Sequence, residues 1–289
     1  MTQNHPATLK KKSVCRGKFM TANSPMLTNQ TSSVDLLTQE LPRKLPEITL
    51  LFWIMKISTT TLGESAGDLL SMTLNLGYAI SSIVLFGFFV LTVIPQLVSK
   101  KYDPVLYWSV ILSTTMVGTT ISDFLDRTAQ LGYVAGSGLL LGILLVIFAG
   151  WKLSGLSLDV DKIRSRKAEF IYWIAILVSN TLGTALGDFF ADSSGLGYLG
   201  GAELIGGVLL IAALAYRFTR ISSVFLFWLA FVLTRPFGAT FGDLFTKSVD
   251  KGGLGIGTVE TSLILLAFLS ICVIYSSWRL NRSTTTLGN

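Results

Sequence analysis

The chain has little of what soluble enzymes are built from: its 289 residues include one histidine and two cysteines, and only 14% are charged. His5 lies in a polar stretch near the start, so the apolar body that follows contains no imidazole. That excludes histidine-based metal sites and a Ser/His/Asp triad from the body. Cys15 sits in the same polar stretch and Cys272 deep in the last apolar one, an arrangement that argues against a structural disulfide. No Gly-x-x-x-x-Gly-Lys-Ser/Thr loop occurs, which argues against direct ATP drive. Scarce charge beside 51% hydrophobic residues and a mean hydropathy of +0.61 describes a polytopic membrane protein. The net charge of +6 forms no basic stripe interleaved with aromatics, so no nucleic-acid partner is expected.

Residues 1–46 are rich in Thr, Ser, Asn, Gln and Lys and hold no apolar run of seven, which fits a disordered basic tail and neither a signal peptide nor a span. Beyond them, eight apolar stretches of near 20 residues are each long enough for a helix to cross a hydrocarbon core of about 30 Å. They are 48–69, 77–99, 104–124, 131–151, 168–189, 196–216, 222–244 and 256–278. Of the 23 Lys and Arg, eighteen fall in the tails and even-numbered connections and only Arg127, Lys247 and Lys251 in the odd-numbered ones. The positive-inside rule then puts both termini in the cytoplasm. Lys56 and Arg235 lie within spans. Lys56, near the cytoplasmic end, is expected to snorkel.

Within the apolar body one pattern is written four times: a Trp, a Gly ten residues later and an Asp fifteen residues later. The copies are Trp53/Gly63/Asp68, Trp108/Gly118/Asp123, Trp173/Gly183/Asp188 and Trp228/Gly238/Asp243. Each copy reads as a helical hairpin that starts inside, turns outside and returns. The expected fold is therefore an all-α polytopic bundle of eight transmembrane helices from four parallel-oriented hairpins, packed as a ring or as paired halves around an axis. Its organisation is a tail (1–46), repeats one and two (47–153), a charged cytoplasmic linker (154–167), repeats three and four (168–280) and a short cytoplasmic tail (281–289).

Four tandem units with Phe52-Trp53, Tyr107-Trp108, Tyr172-Trp173 and Phe227-Trp228, each followed by a Gly-x-x-x-small-Asp block, resemble a bacterial membrane-protein family known only for a repeat of unknown function. The resemblance covers about residues 47 to 280 and implies a multipass protein of the bacterial inner membrane. It implies no activity. The fourth copy departs by carrying Arg235-Pro236 and a longer turn before Leu254-Gly255.

At about 100° per residue, one helical face of roughly 140° collects the unusual residues of every repeat. The Gly63/Gly67, Gly118/Ser122, Gly183/Gly187 and Gly238/Gly242 pairs are small-xxx-small, the pattern of close helix packing in lipid. Trp53, Trp108, Trp173 and Trp228 start their spans, where interfacial anchors belong. The aspartates fall about 22 Å further on, in the outer part of the membrane, at helix C-termini where the macrodipole disfavours negative charge. Simple turn formers would not require carboxylates there. Glu64 lies one turn inward of Asp68, while Glu203 and Glu260 lie near the outer starts of spans six and eight. An unpaired Arg235 near mid-membrane would cost at least about 2.5 kcal/mol, so an acidic partner is expected among Glu64, Asp68 and Glu203.

Three functions fit to different degrees. A small cation transporter or exporter would draw oxygen ligands from Asp68, Asp123, Asp188, Asp243 and Glu64, with Asn180, Thr60 and Thr115 along the path. Such ligands without His or Cys suit hard divalent ions or protons, and no cofactor is implied. A non-transporting membrane scaffold would use the acidic turns as a partner surface. An intramembrane aspartyl enzyme fits least, because four equivalent copies exceed what a dyad needs. A non-enzymatic role in the bilayer is the expectation.

Overall fold

A computed structural model describes residues 44–163 and 165–286. The expectation of a disordered tail falls mostly on residues outside these. Its last part differs from the expectation: Lys44, Leu45 and Pro46 are buried against the bundle. Among the described residues the fold is all-α, with eight long helices and no strand. These are α1 (Leu50–Asp68), α2 (Tyr78–Val98), α3 (Pro104–Asp123), α4 (Gly132–Leu153), α5 (Arg166–Asp188), α6 (Gly197–Phe218), α7 (Ser223–Thr246) and α8 (Thr258–Thr286).

The first helix of each repeat is started by a side chain. Thr49, Asp103, Ser165 and Ser222 each accept a hydrogen bond from the backbone N–H three residues on, satisfying a donor the helix leaves open. Asp103 is followed by Pro104, whose fixed φ suits the first helical position. The second helices of the first three repeats begin differently, at Gly77, Gly132 and Gly197, whose φ of 74°, 70° and 67° turn the chain back sharply. In those repeats the first helix runs past its aspartate into a π-helical turn, Leu69–Thr73, Phe124–Thr128 and Phe189–Ser193. The fourth has no such turn. There the α-helix ends at Thr246, and the longer turn folds back so that Leu254, Ile256 and Gly255 donate to the carbonyls of Leu244, Phe245 and Lys247.

Seven helices, all but α1, are long and apolar enough to cross a membrane. The first span fails that test because Lys56, Glu64 and Asp68 fall within its 19 residues. Those charges are tolerated because they point into protein: all three are buried. In the other three first helices 67%, 67% and 50% of the apolar window is buried, against 17% to 22% in the second helices. The first helices are therefore the inside of the bundle, and the second helices carry its exposed apolar side chains, among them Ile83, Leu91, Val134 and Leu210.

Contacts among the inner helices close a ring, α1 on α3, α3 on α5, α5 on α7 and α7 on α1. Each outer helix packs chiefly against the inner helix of the following repeat: α2 on α3, α4 on α5, α6 on α7, and α8 back on α1. Thr92–Ser113 (2.8 Å) and Ser262–Ser65 (3.1 Å) hydrogen bonds mark two of these seams. The repeats interlock instead of closing individually, so one unit alone would leave its apolar face bare. The charged linker is also packed down: Val160 and Ile163 are buried, and Trp228 Nε1 donates to the Leu158 carbonyl at 3.0 Å.

Candidate functional site

Three layers are stacked inside the ring, and each obeys the rule that a residue of one repeat meets the next. In the first, the aromatic before each Trp packs on the Trp of the following repeat. Phe52 meets Trp108 at 5.6 Å, Tyr107 meets Trp173 at 5.6 Å, Tyr172 meets Trp228 at 6.0 Å and Phe227 meets Trp53 at 5.9 Å between ring centroids. Trp108, Trp173 and Trp228 are consequently buried and Trp53 half-buried, which differs from the expected interfacial anchors. Helix-to-helix stacking claims these rings because the outer helices pack over the inner ones.

The second layer is made by small residues and hydroxyls. A methyl group on Gly63 would overlap Thr115, one on Gly183 would overlap Arg235, and one on Gly238 would overlap Thr60; at Gly118 it would lie 3.0 Å from the Thr181 nitrogen. Four residues on, a methyl group on Gly67, Gly187 or Gly242 would lie 2.9, 2.8 or 3.0 Å from Thr119, Ala239 or Glu64 respectively, close but less severely overlapped. Ser122 is the fourth member, and its hydroxyl donates to Asp126 at 3.3 Å. With backbones this close, Thr60 donates to the Thr234 carbonyl (3.2 Å) and Thr115 to the Thr59 carbonyl (3.3 Å), while the Asn180 amide donates to Thr114 (3.0 Å). Thr60, Thr115 and Asn180 thus join helices.

Arg235 fills the centre of this layer with no exposed surface. Its Nη2 donates to Glu64 Oε2 at 2.9 Å, to Thr184 Oγ1 at 2.7 Å and to Thr119 Oγ1, and its Nη1 lies 3.4 Å from the Thr60 carbonyl. One guanidinium therefore touches all three other inner helices. Of the expected partners only Glu64 is used: Asp68 is engaged elsewhere, and Glu203 stands exposed on α6, as Glu260 does on α8. Outer helices cannot deliver a carboxylate to an axis that four inner helices enclose. Lys56 also departs from expectation. It has no exposed surface, and its ammonium lies 4.1 Å over the Phe231 ring and 3.5 Å from Asn180 Oδ1. The aromatic layer blocks the route by which it would snorkel.

The third layer holds the aspartates, all buried. Two cations, each nineteen residues after a repeat Trp, bridge them in pairs. Arg127 reaches Asp123 at 3.1 Å and Asp188 at 3.2 Å; Lys247 reaches Asp68 at 2.7 Å and Asp243 at 3.1 Å. Burial would pull the Lys247 ammonium toward its neutral form, but the Asp243 and Asp68 carboxylates outweigh it and hold the group protonated well above the ordinary lysine range. Sequence spacing placed both cations in outer turns and did not link them to the aspartates. Their shared distance from the Trp is the signal that finds them.

Of the five predicted carboxylate ligands, Glu64, Asp68 and Asp243 converge, with one oxygen from each within 4.8 Å of the others. This buried acidic cluster can coordinate a cation and sits among long apolar helices. Carboxylate oxygens at such separations suit a hard ion. Asp123 and Asp188 are turned to Arg127 on the other side of the ring. A separate cavity of about 770 Å³, lined by Trp53, Tyr216, Phe227, aliphatic side chains and the acidic residues Glu47, Asp159 and Asp161, lies toward the opposite end and includes none of Glu64, Asp68 and Asp243.

The chain belongs to the family defined by the Repeat of Unknown Function (DUF347), whose model matches four times, at residues 51–102, 106–156, 171–222 and 226–280. Each match spans one inner helix and the outer helix that follows it, and these four helix pairs interlock in the ring. No curated protein and no solved structure matches the chain.

Proposed function

We propose that this repeat protein is an integral membrane carrier for a small hard cation, bound by Glu64, Asp68 and Asp243 near the outer end of the ring. In this reading the four hairpins are oriented alike across the bilayer of a bacterial inner membrane, with the aromatic layer and both termini on the cytoplasmic side. The excess of Lys and Arg in the even-numbered connections supports that orientation. The observation that carries the reading is the convergence of three buried carboxylates from two neighbouring inner helices. Carboxylates are costly at such depth and mark ion or proton paths in membrane proteins. Because Arg235 occupies the centre of the ring, the cation does not pass through an open bore, and movement requires rearrangement of the inner helices. The reading is of a carrier and not of an enzyme: each aspartate faces a cationic side chain, whereas an aspartyl dyad needs two carboxyls sharing a proton.

The test is cation uptake into proteoliposomes, with Mn²⁺ and Mg²⁺ offered in turn. Asp68→Asn and Asp243→Asn abolish uptake while Glu203→Gln, on the exposed face of α6, does not. Unchanged flux in the two aspartate variants, with normal insertion, refutes the proposal. One observation favours a second reading, a structural bundle without transport: Arg127 and Lys247 already neutralise the aspartates in pairs. Mn²⁺ binding separates the two: a carrier binds the ion at the acidic cluster and loses it in Asp68→Asn and Asp243→Asn, whereas a structural bundle binds none.

A further inference from the structure

Lys247 stands where a bound cation would stand. Its Nζ lies 2.7 Å from Asp68 Oδ2 and 3.1 Å from Asp243 Oδ1, two of the three residues whose oxygens converge. A hard ion bridging these carboxylates needs oxygens at about 2.0–2.6 Å. The ammonium and the ion cannot occupy that position together. We infer that Lys247 is a tethered competitor: its ammonium holds the site closed, and a divalent cation binds only by displacing it. This rests on the cation-site reading above.

Charge makes the exchange selective. Glu64, Asp68 and Asp243 face two cationic side chains, Arg235 and Lys247, which leaves one formal negative charge. A divalent ion in place of the ammonium brings the cluster to neutrality. A monovalent ion reproduces the charge already present and gains nothing for the cost of its dehydration. The tether is built for a side-chain movement. Lys247 is the first residue past α7, its N–H donates to the Asp243 carbonyl at 2.9 Å and its own carbonyl accepts from Gly255 at 2.9 Å. The backbone is thus pinned while the four-carbon stem keeps its rotations.

The other half of the ring shows what a permanent staple looks like. Arg127 occupies the same repeat position and bridges the other two aspartates, but its Nη1 also donates to Tyr78 Oη at 3.2 Å, and the neighbouring repeats supply Thr119 and Thr184 where repeat one supplies Glu64. A planar guanidinium fixed on three partners is not readily displaced; a lysine with rotatable donors is.

Mn²⁺ binding to the full chain in nanodiscs, read by calorimetry and by the loss of free-ion EPR signal, tests this. An ammonium resident more than about nine-tenths of the time weakens apparent affinity at least about tenfold, so Lys247→Met binds Mn²⁺ at least about tenfold more tightly and Na⁺ now competes. Lys247→Arg, which preserves the bridge and fixes it, binds Mn²⁺ more weakly than the parent and serves if the Met variant does not fold. Equal affinity in parent, Lys247→Met and Lys247→Arg overturns the competitor role and leaves the cation site standing. Absence of Mn²⁺ binding in every variant, Lys247→Met included, overturns the site itself.

Discussion

Removing the central guanidinium tests the organisation of the ring most directly. Arg235→Met keeps most of the volume and the apolar stem but leaves the Glu64 carboxylate buried, with its 2.9 Å partner gone. Two kinds of loss must be compared. The bonds to Thr119, Thr184 and the two backbone carbonyls are worth about 0.6 kcal/mol each in a membrane, because the separated helices find other partners. Leaving one member of a buried ion pair alone costs about 3–5 kcal/mol. The orphaned charge dominates. Glu64→Gln strands the arginine instead and is expected to cost a similar amount, whereas the double variant strands neither. Reversible unfolding in mixed micelles with increasing SDS, followed by far-UV circular dichroism, gives the three free energies. The double variant should be less destabilised than the sum of the singles by about 1–3 kcal/mol. A loss below about 1 kcal/mol for Arg235→Met, or single effects that add within about 0.5 kcal/mol, refutes the placement of the pair at a closed centre.

Gly63→Ala and Gly238→Ala drive a methyl group into Thr115 and Thr60 and should each cost about 1–3 kcal/mol in the same assay, while Gly138→Ala and Gly207→Ala, which meet open space, should be neutral within error. Burial raises the Tyr102 phenol to about 12, so it stabilises the fold fully below the unfolded tyrosine value near pH 10 and loses that contribution as pH rises through about 12. Absorbance at 295 nm should show fewer tyrosines ionising between pH 10 and 11 in the parent's folded state than on unfolding, and Tyr102→Phe should narrow that difference by one. Lys44→Met strands the fully buried Glu169 carboxylate, 2.6 Å from the ammonium and otherwise held by Gln96 at 3.1 Å, and should cost about 3 kcal/mol or more, with Lys44→Met/Glu169→Gln recovering part of it. If the four repeats are equivalent at the centre, Thr115→Arg should restore to Arg235→Thr most of its lost stability; no recovery would show that the seventh position after Trp differs between α3 and α7.

Much of the ring was legible in the sequence, and what was not has a common physical cause. A fixed register of Trp, Gly and Asp announced repeated helices whose small residues pack, because close approach in lipid demands a missing side chain at a set spacing. The acidic partner of Arg235 could be narrowed to three because an unpaired mid-membrane charge is too costly to leave. What a single repeat cannot reveal is its neighbour. The burial of the tryptophans, the enclosure of Lys56 and the seating of each outer helix on the following repeat all depend on how copies interlock. Hydropathy alone undercounts the long helices, finding seven of the eight among the described residues, for the same reason: α1 carries three charges whose cost is met by residues in other repeats. Lys247 and Arg127 follow their helices in turns, where side chains are ordinarily solvated, yet both turn inward onto the aspartates.

Interlocking also explains why four similar units cannot be identical. The seventh residue after each Trp borders the centre of the ring, and there the chain has Thr60, Thr115, Asn180 and Arg235. One arginine already reaches all three opposing helices, so a second would find the space filled and meet a like charge in a poorly screened interior. Three small residues and one long one satisfy the centre; four of either kind do not. The aspartate layer poses a different count. A single cation bridges two neighbouring aspartates, so four aspartates need two cations, and these must come from alternate repeats to avoid crowding one edge. Arg127 and Lys247 meet that requirement at the same position of repeats two and four, where repeats one and three carry Met72 and Asp192. The departures from the repeat are thus fixed by closure of the ring: Arg235 fills the centre, and Glu64 supplies the carboxylate its charge requires where repeats two and three supply the hydroxyls of Thr119 and Thr184. Glu64, Asp68 and Asp243 together face only Arg235 and Lys247, and a cation-binding site is the use that the remaining negative charge fits.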